Sequence, residues 1–141
     1  MGANEPLFLG GIDLGKRIAF KPLETVTFEM RDEEGNIFKE VDFVFNNFAL
    51  AIITDEFGDL NQLFKKYEKK PYDAAAILLY AGAKSNNMDF TLEEARAMVV
   101  SGGYIVLSEV SRLVIESLMI LGGEDTKKKF IVQMEKMGIA I

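Results

Sequence analysis

The period of the apolar residues changes once along this chain, at about residue 46, and that change sets the order of its elements. Before it the residues alternate. Over 25–31, Val26, Phe28 and Met30 point one way and Thr25, Thr27, Glu29 and Arg31 the other, the pattern of a strand with one covered face. Asp32-Glu33-Glu34-Gly35-Asn36 reads as a turn, because Gly35 and Asn36 tolerate the positive backbone angle that turns use. Residues 37–45 alternate again, with Ile37, Val41, Phe43 and Phe45 on one face and Lys39 interrupting it. The two runs predict an antiparallel hairpin. Upstream, residues 1–24 read as irregular, with short strands around 7–9 and 17–20.

After residue 46 the spacing becomes helical. Asn46 or Asn47 can cap a helix carrying Phe48, Ile52 and Ile53, and Gly58 stops it. A short polar helix over 59–70 places Leu60, Leu63, Phe64 and Tyr67 on one side. Pro71 suits the first turn of the next helix, which runs to about Lys84 and is apolar nearly all round, as a central packed helix would be. Thr91-Leu92-Glu93-Glu94 is a capping box after a polar loop, and Gly102-Gly103 ends the helix it starts. Residues 104–121 present a wide apolar face, including Val106, Val110, Leu113 and Leu118, with a polar stripe of Ser108, Arg112 and Glu116. Gly122-Gly123 is expected to break the chain before a last helix over 124–137. Strands first and helices after them predict an α+β fold. It is an N-terminal antiparallel β-hairpin or small sheet followed by a bundle of about five helices. The whole, 1–141, reads as a single domain with a β-rich segment at 1–45 and a helical body at 46–141.

Composition narrows the chemistry. The chain has neither cysteine nor histidine, so disulfides, thiolate nucleophiles, zinc sites of the usual kind and histidine general bases are excluded. Its net charge of −6 is concentrated: residues 1–58 hold 5 Lys/Arg against 11 Asp/Glu, and residues 59–141 balance at 11 against 11. An acidic first half repels nucleic acid, and Lys65-Lys66 and Lys127-Lys128-Lys129 read as solvated helix ends. The first residues lack the basic start and apolar core of a secretory signal. The stretch 104–121 carries Glu109, Arg112 and Glu116, too many charges for a membrane span. The expected location is cytoplasmic.

Gly10 to Lys16 matches the G-x-x-x-x-G-K of a phosphate-binding loop, but Arg17 stands where Ser or Thr would hold magnesium, and Pro22 interrupts the helix that should follow. It reads as a turn between short strands. Asp32, Glu33 and Glu34, and Asp55, Glu56 and Asp59, miss the calcium-loop pattern and read as a solvated turn and a solvated helix end. Nine of the eleven phenylalanines precede residue 65, and with acidic residues interleaved they suit core and interface packing rather than base stacking. No cofactor is expected, and no enzyme.

Four segments in order carry a family resemblance: "VDFVFNNFALAIITDEFGDL", "PYDAAAILLYAGAK", "NNMDFTLEEARAMVVSGG" and "YIVLSEVSRLVIESLMI". The span from about 41 to 121 resembles the tail assembly chaperones of long-tailed bacteriophages, particularly those of Gram-positive hosts. The resemblance implies a non-enzymatic protein that holds the tape measure protein before the tail tube polymerises around it. The resemblance offers the tail tube protein as a further candidate partner. It also implies self-association, action in the bacterial host cytoplasm and absence from the mature virion. No catalytic residue transfers with it. A binder of this kind needs adaptable apolar surface. Phe130, Met134 and Met137, at spacings of four and three, together with Ile139 and Ile141 in the apolar tail, are the candidate contact residues. Two other readings stand beside it: an acidic regulator or inhibitor of a basic partner, and a structural tail component that stays in the particle.

Overall fold

A computed structural model of the chain describes residues 8–9, 12–13 and 15–136, with side chains at 15–122, 128, 132 and 135. Two short strands come first, β1 (Phe8–Leu9) and β2 (Ile12–Asp13), paired antiparallel with Leu9 opposite Ile12. Of the phosphate-loop lookalike, Ile12–Asp13 is strand, while Gly10, Gly11 and Leu14 lie outside the described residues. The second expected strand, over 17–20, does not form. Residues 16–25 lie outside any helix or strand, nearly all of them exposed, and Ile12–Asp13 pairs with β1 in place of 17–20.

β3 (Val26–Arg31) and β4 (Ile37–Phe43) form the predicted hairpin. Asp32 builds its turn: one carboxylate oxygen accepts from the amides of Glu34 and Asn36, and Gly35 takes a φ of 86°. The pairing shifts near the turn, from Met30 opposite Lys39 to Arg31 opposite Ile37. That bulge leaves Phe38 unpaired and breaks the alternation. Ile37, expected on the covered face, is consequently exposed, while Val41, Phe43 and Phe45 are buried as expected.

Five helices follow among the described residues: α1 (Asn47–Phe57), α2 (Leu60–Lys69), α3 (Pro71–Lys84), α4 (Leu92–Gly102) and α5 (Tyr104–Lys136). Their starts are chemically explicit. Asn46 accepts from the Ala49 amide at 3.0 Å and Asp59 from the Gln62 amide at 2.8 Å. Pro71 occupies the first turn of α3, and Thr91 and Glu94 make both bonds of the capping box. In α1 the buried face is Ala49, Ile52 and Ile53, which turns Phe48 partly to solvent, contrary to its expected place in the core. One break expected from sequence is absent. α5 runs through Gly122-Gly123 as a single 33-residue helix of about 50 Å. Glycine in a helix interior costs about 1 kcal/mol against alanine, which weakens a helix without obliging it to stop.

α3 is the axis of the body. Every residue from Ala74 to Ala83 is buried, and α1, α2, α4, α5 and β4 all pack against it. The hairpin is stitched to its C-terminal end, where the Val44 amide donates to Gly82 O and the Asn86 side chain donates to Asp42 O. Lys39, the polar interruption of the covered face, pairs with Glu94 of the capping box and sits 5.9 Å from the centre of the Phe90 ring. Hairpin and α4 are thereby joined. The pairing with Lys39, then the Thr91 amide, holds the Glu94 carboxyl below its ordinary range.

Candidate partner-binding surface

α4 and α5 meet at a one-residue joint. Gly103 takes a φ of 58°, its amide donates to Val99 O at 2.8 Å, and its carbonyl accepts from the Leu107 amide at 3.1 Å. One residue thus closes α4 and starts α5. The sharp turn leaves no room for a loop to cover the corner. Val100 in the last turn of α4 is 82% exposed, and Tyr104 and Ile105 in the first turn of α5 are 72% and 77% exposed. Tyr72, in the first turn of α3, is also exposed.

A buried polar contact organises the ground behind this corner. The phenol of Tyr67 (α2) bonds the hydroxyl of Ser111 (α5), and Ser111 donates to Leu107 O at 2.7 Å. With the Ser111 proton committed to Leu107, Tyr67 is the donor. Burial pushes the Tyr67 phenol up, the bond to Ser111 opposes this, and nearby Tyr104 and Tyr72 push it up further. Tyr72 of α3 and Tyr104 of α5 thus each act on the Tyr67 phenol of α2. Val100, Tyr104 and Ile105 make an exposed, mostly apolar corner, the composition that suits a protein-binding surface.

Three of the acidic residues singled out in the sequence, Asp32, Asp59 and Glu56, have structural roles. Asp32 shapes the hairpin turn and Asp59 caps α2. Glu56 accepts from the Tyr80 hydroxyl at 2.8 Å, and Lys84 donates to that same hydroxyl at 2.7 Å, which ties α1 to α3. The hydrogen bond to Tyr80 raises the Lys84 ammonium pKa, burial opposes it, and Tyr80 and Glu56 beside it raise it further. Among the described residues, no group of three His, Cys, Asp or Glu is placed to hold a metal ion. No helix among them is long and apolar enough to cross a membrane.

Of the candidate contact residues, Phe130 and Met134 fall in α5 with side chains outside the described residues. Met137, Ile139 and Ile141 lie outside the described residues altogether. The corner of Val100, Tyr104 and Ile105 was not anticipated. Its signal was available: Tyr104 and Ile105 lie off the Val106, Val110, Leu113 stripe, directly after two glycines. Comparison of the chain with family models, with curated proteins and with solved structures finds no match.

Proposed function

We propose that this protein is a non-enzymatic tail assembly chaperone of the long-tailed bacteriophage type. It holds the tape measure protein in a soluble state in the host cytoplasm, with the tail tube protein as a further partner, and leaves before the virion is complete. The observation that carries the reading is the exposed apolar corner of Val100, Tyr104 and Ile105 on the segment whose sequence resembles that family. Large apolar side chains held outward by a packed scaffold suit a binder of long apolar helices. Many such weak contacts along one client give grip that can still be released.

Co-expression with the tape measure protein tests this. The client is expected to stay soluble with the wild-type chain and to precipitate without it. A chain carrying Val100→Asp and Ile105→Asp should lose the effect while melting normally. A client equally soluble with and without the chain would sink the proposal.

A second reading draws on the outer face of the hairpin. Glu29 stands directly opposite Glu40, with Asp42 beyond it. Like charges across a ladder destabilise it, so such a face favours a basic partner. An acidic regulator would release its partner as salt rises. A chaperone would release it when the apolar corner is changed. A structural tail component would be found by mass spectrometry in purified virions.

A further inference from the structure

Charge is sorted along α3. The hairpin sits at the C-terminal end of that helix, held by the Val44 amide on Gly82 O and the Asn86 side chain on Asp42 O. Its outer face is acidic: Glu29 stands opposite Glu40, Asp42 lies beyond, and the turn adds Glu33 and Glu34. Arg31 pairs with Glu29, while Glu40 and Asp42 make no ion pair among the described residues. The other end of α3, about 20 Å away for a 14-residue helix, follows directly on Lys69 and Lys70. In α2, Lys65, Lys66 and Lys69 share the face opposite the buried Leu63, Phe64 and Tyr67. None of these four lysines makes an ion pair among the described residues either. We propose that the lysine face of α2 docks on the acidic outer face of the hairpin of a second copy of this chain, head to tail. The inference rests on the placement of charge and stands whether or not the chain is a chaperone.

Each surface is uncompensated within its own molecule and compensates the other. Residues 26–43 hold six carboxylates against two cations, and one of those, Lys39, is engaged by Glu94. Residues 65–70 hold four lysines against Glu68, with Asp73 the next carboxylate along. Like charges gathered on one face repel, so bringing the lysines onto the hairpin lowers the repulsion within both surfaces. Each surface also has an exposed aromatic ring at its margin: Phe38, unpaired at the bulge and 67% exposed, and Tyr72, two residues after Lys70 and 44% exposed. Such rings add the apolar contact that charge alone does not supply. Because the two surfaces differ and belong to opposite ends of α3, the contact is heterologous. Each copy added leaves one acidic and one basic end free, so assembly continues past the dimer. Exposed ion pairs are individually weak and screened by salt, which makes the association reversible.

Analytical ultracentrifugation of the full chain tests this. At about 20 mM salt the mean mass should rise with protein concentration past that of a dimer, and about 0.5 M salt should return it to the monomer. Reversing two charges at either end, by Lys65→Glu with Lys69→Glu or by Glu40→Lys with Asp42→Lys, should weaken association about tenfold, the factor that a few exposed pairs of ordinary strength supply. The second variant separates docking from net charge. It moves the chain from −6 toward neutrality, so general repulsion between copies predicts tighter association, whereas docked ends predict weaker. All these reversals in one chain make the ends opposite again and should restore association. A chain that stays monomeric at low salt at every concentration reached would overturn the proposal. Growth that stops at the dimer would do the same, as would tighter association by the Glu40→Lys, Asp42→Lys protein. Thermal melting of each variant establishes that it is folded, and the salt series needs no substitution.

Discussion

The ring of Phe43, at the end of β4, lies against the backbone of Gly82 in α3. A Cβ at residue 82 would come within 2.2 Å of the ring. Phe43 is fully buried, with Phe28 edge-on at 6.2 Å and Phe45 stacked at 6.5 Å, so it has nowhere to retreat. Gly82→Ala should therefore destabilise the fold by about 1–2 kcal/mol, overpacking outweighing the gain in helix propensity. That corresponds to a fall of several degrees in Tm, measurable by calorimetry or denaturant titration. Phe43→Leu in the same chain should recover part of the loss.

Gly122 gives the opposite sign. It lies exposed inside α5. Gly122→Ala should add about 1 kcal/mol to helix stability through propensity and a less disordered unfolded chain. Circular dichroism during thermal melting checks it, and a loss of stability would mean that the glycine serves a close contact.

The buried Tyr67–Ser111 bond predicts an asymmetry. Tyr67→Phe removes a donor and leaves Ser111 still bonded to Leu107, at a cost of about 1 kcal/mol. Ser111→Ala leaves a buried phenol without its acceptor, which costs about 1–3 kcal/mol. Denaturation of the two variants should rank Ser111→Ala as the more damaging.

The Lys39–Glu94 pair sets a pH dependence. The folded pKa of Glu94 is depressed below the ordinary carboxyl value, first by the Lys39 ammonium and then by the Thr91 amide. The pair's contribution is therefore complete above the unfolded value and is lost as pH falls through the folded one. Lys39→Met should lower Tm at neutral pH, and its melting curve should converge on that of the wild type in acid. A difference that stays constant down to the acid limit would assign the effect to packing of the lysine stem over Phe90.

The exposed corner predicts function without stability. Ile105→Ser and Val100→Ser should leave Tm within the small range of surface substitutions, while reducing client solubilisation in co-expression. A large fall in Tm would place these side chains in the core of the fold.

Much of the fold is legible in the sequence because local chemistry decides it. Asn46, Asp59 and Thr91 cap the helices they precede, and the Val26, Phe28, Met30 alternation gives the hairpin its covered face. What escapes the sequence depends on tertiary context. The bulge at Phe38 turns Ile37 outward, and no spacing rule foretells a bulge. The paired glycines in α5 bend a propensity without ending a helix. The candidate corner escapes for a related reason: Tyr104 and Ile105 look like the rest of an apolar helix until the turn at Gly103 fixes which way they face.

Lys70 and Gly103 are single-residue joints, and they leave the helices on either side no slack. Each helix can dock on one synthesised just before it, so much of the body is built by closing short segments. Chains dominated by such nearby pairings fold on about the microsecond-to-millisecond scale. The returns of β4, α1 and α5 to α3, the meeting of Tyr67 with Ser111 and the pairing of Lys39 with Glu94 wait for more distant parts of the polypeptide to meet.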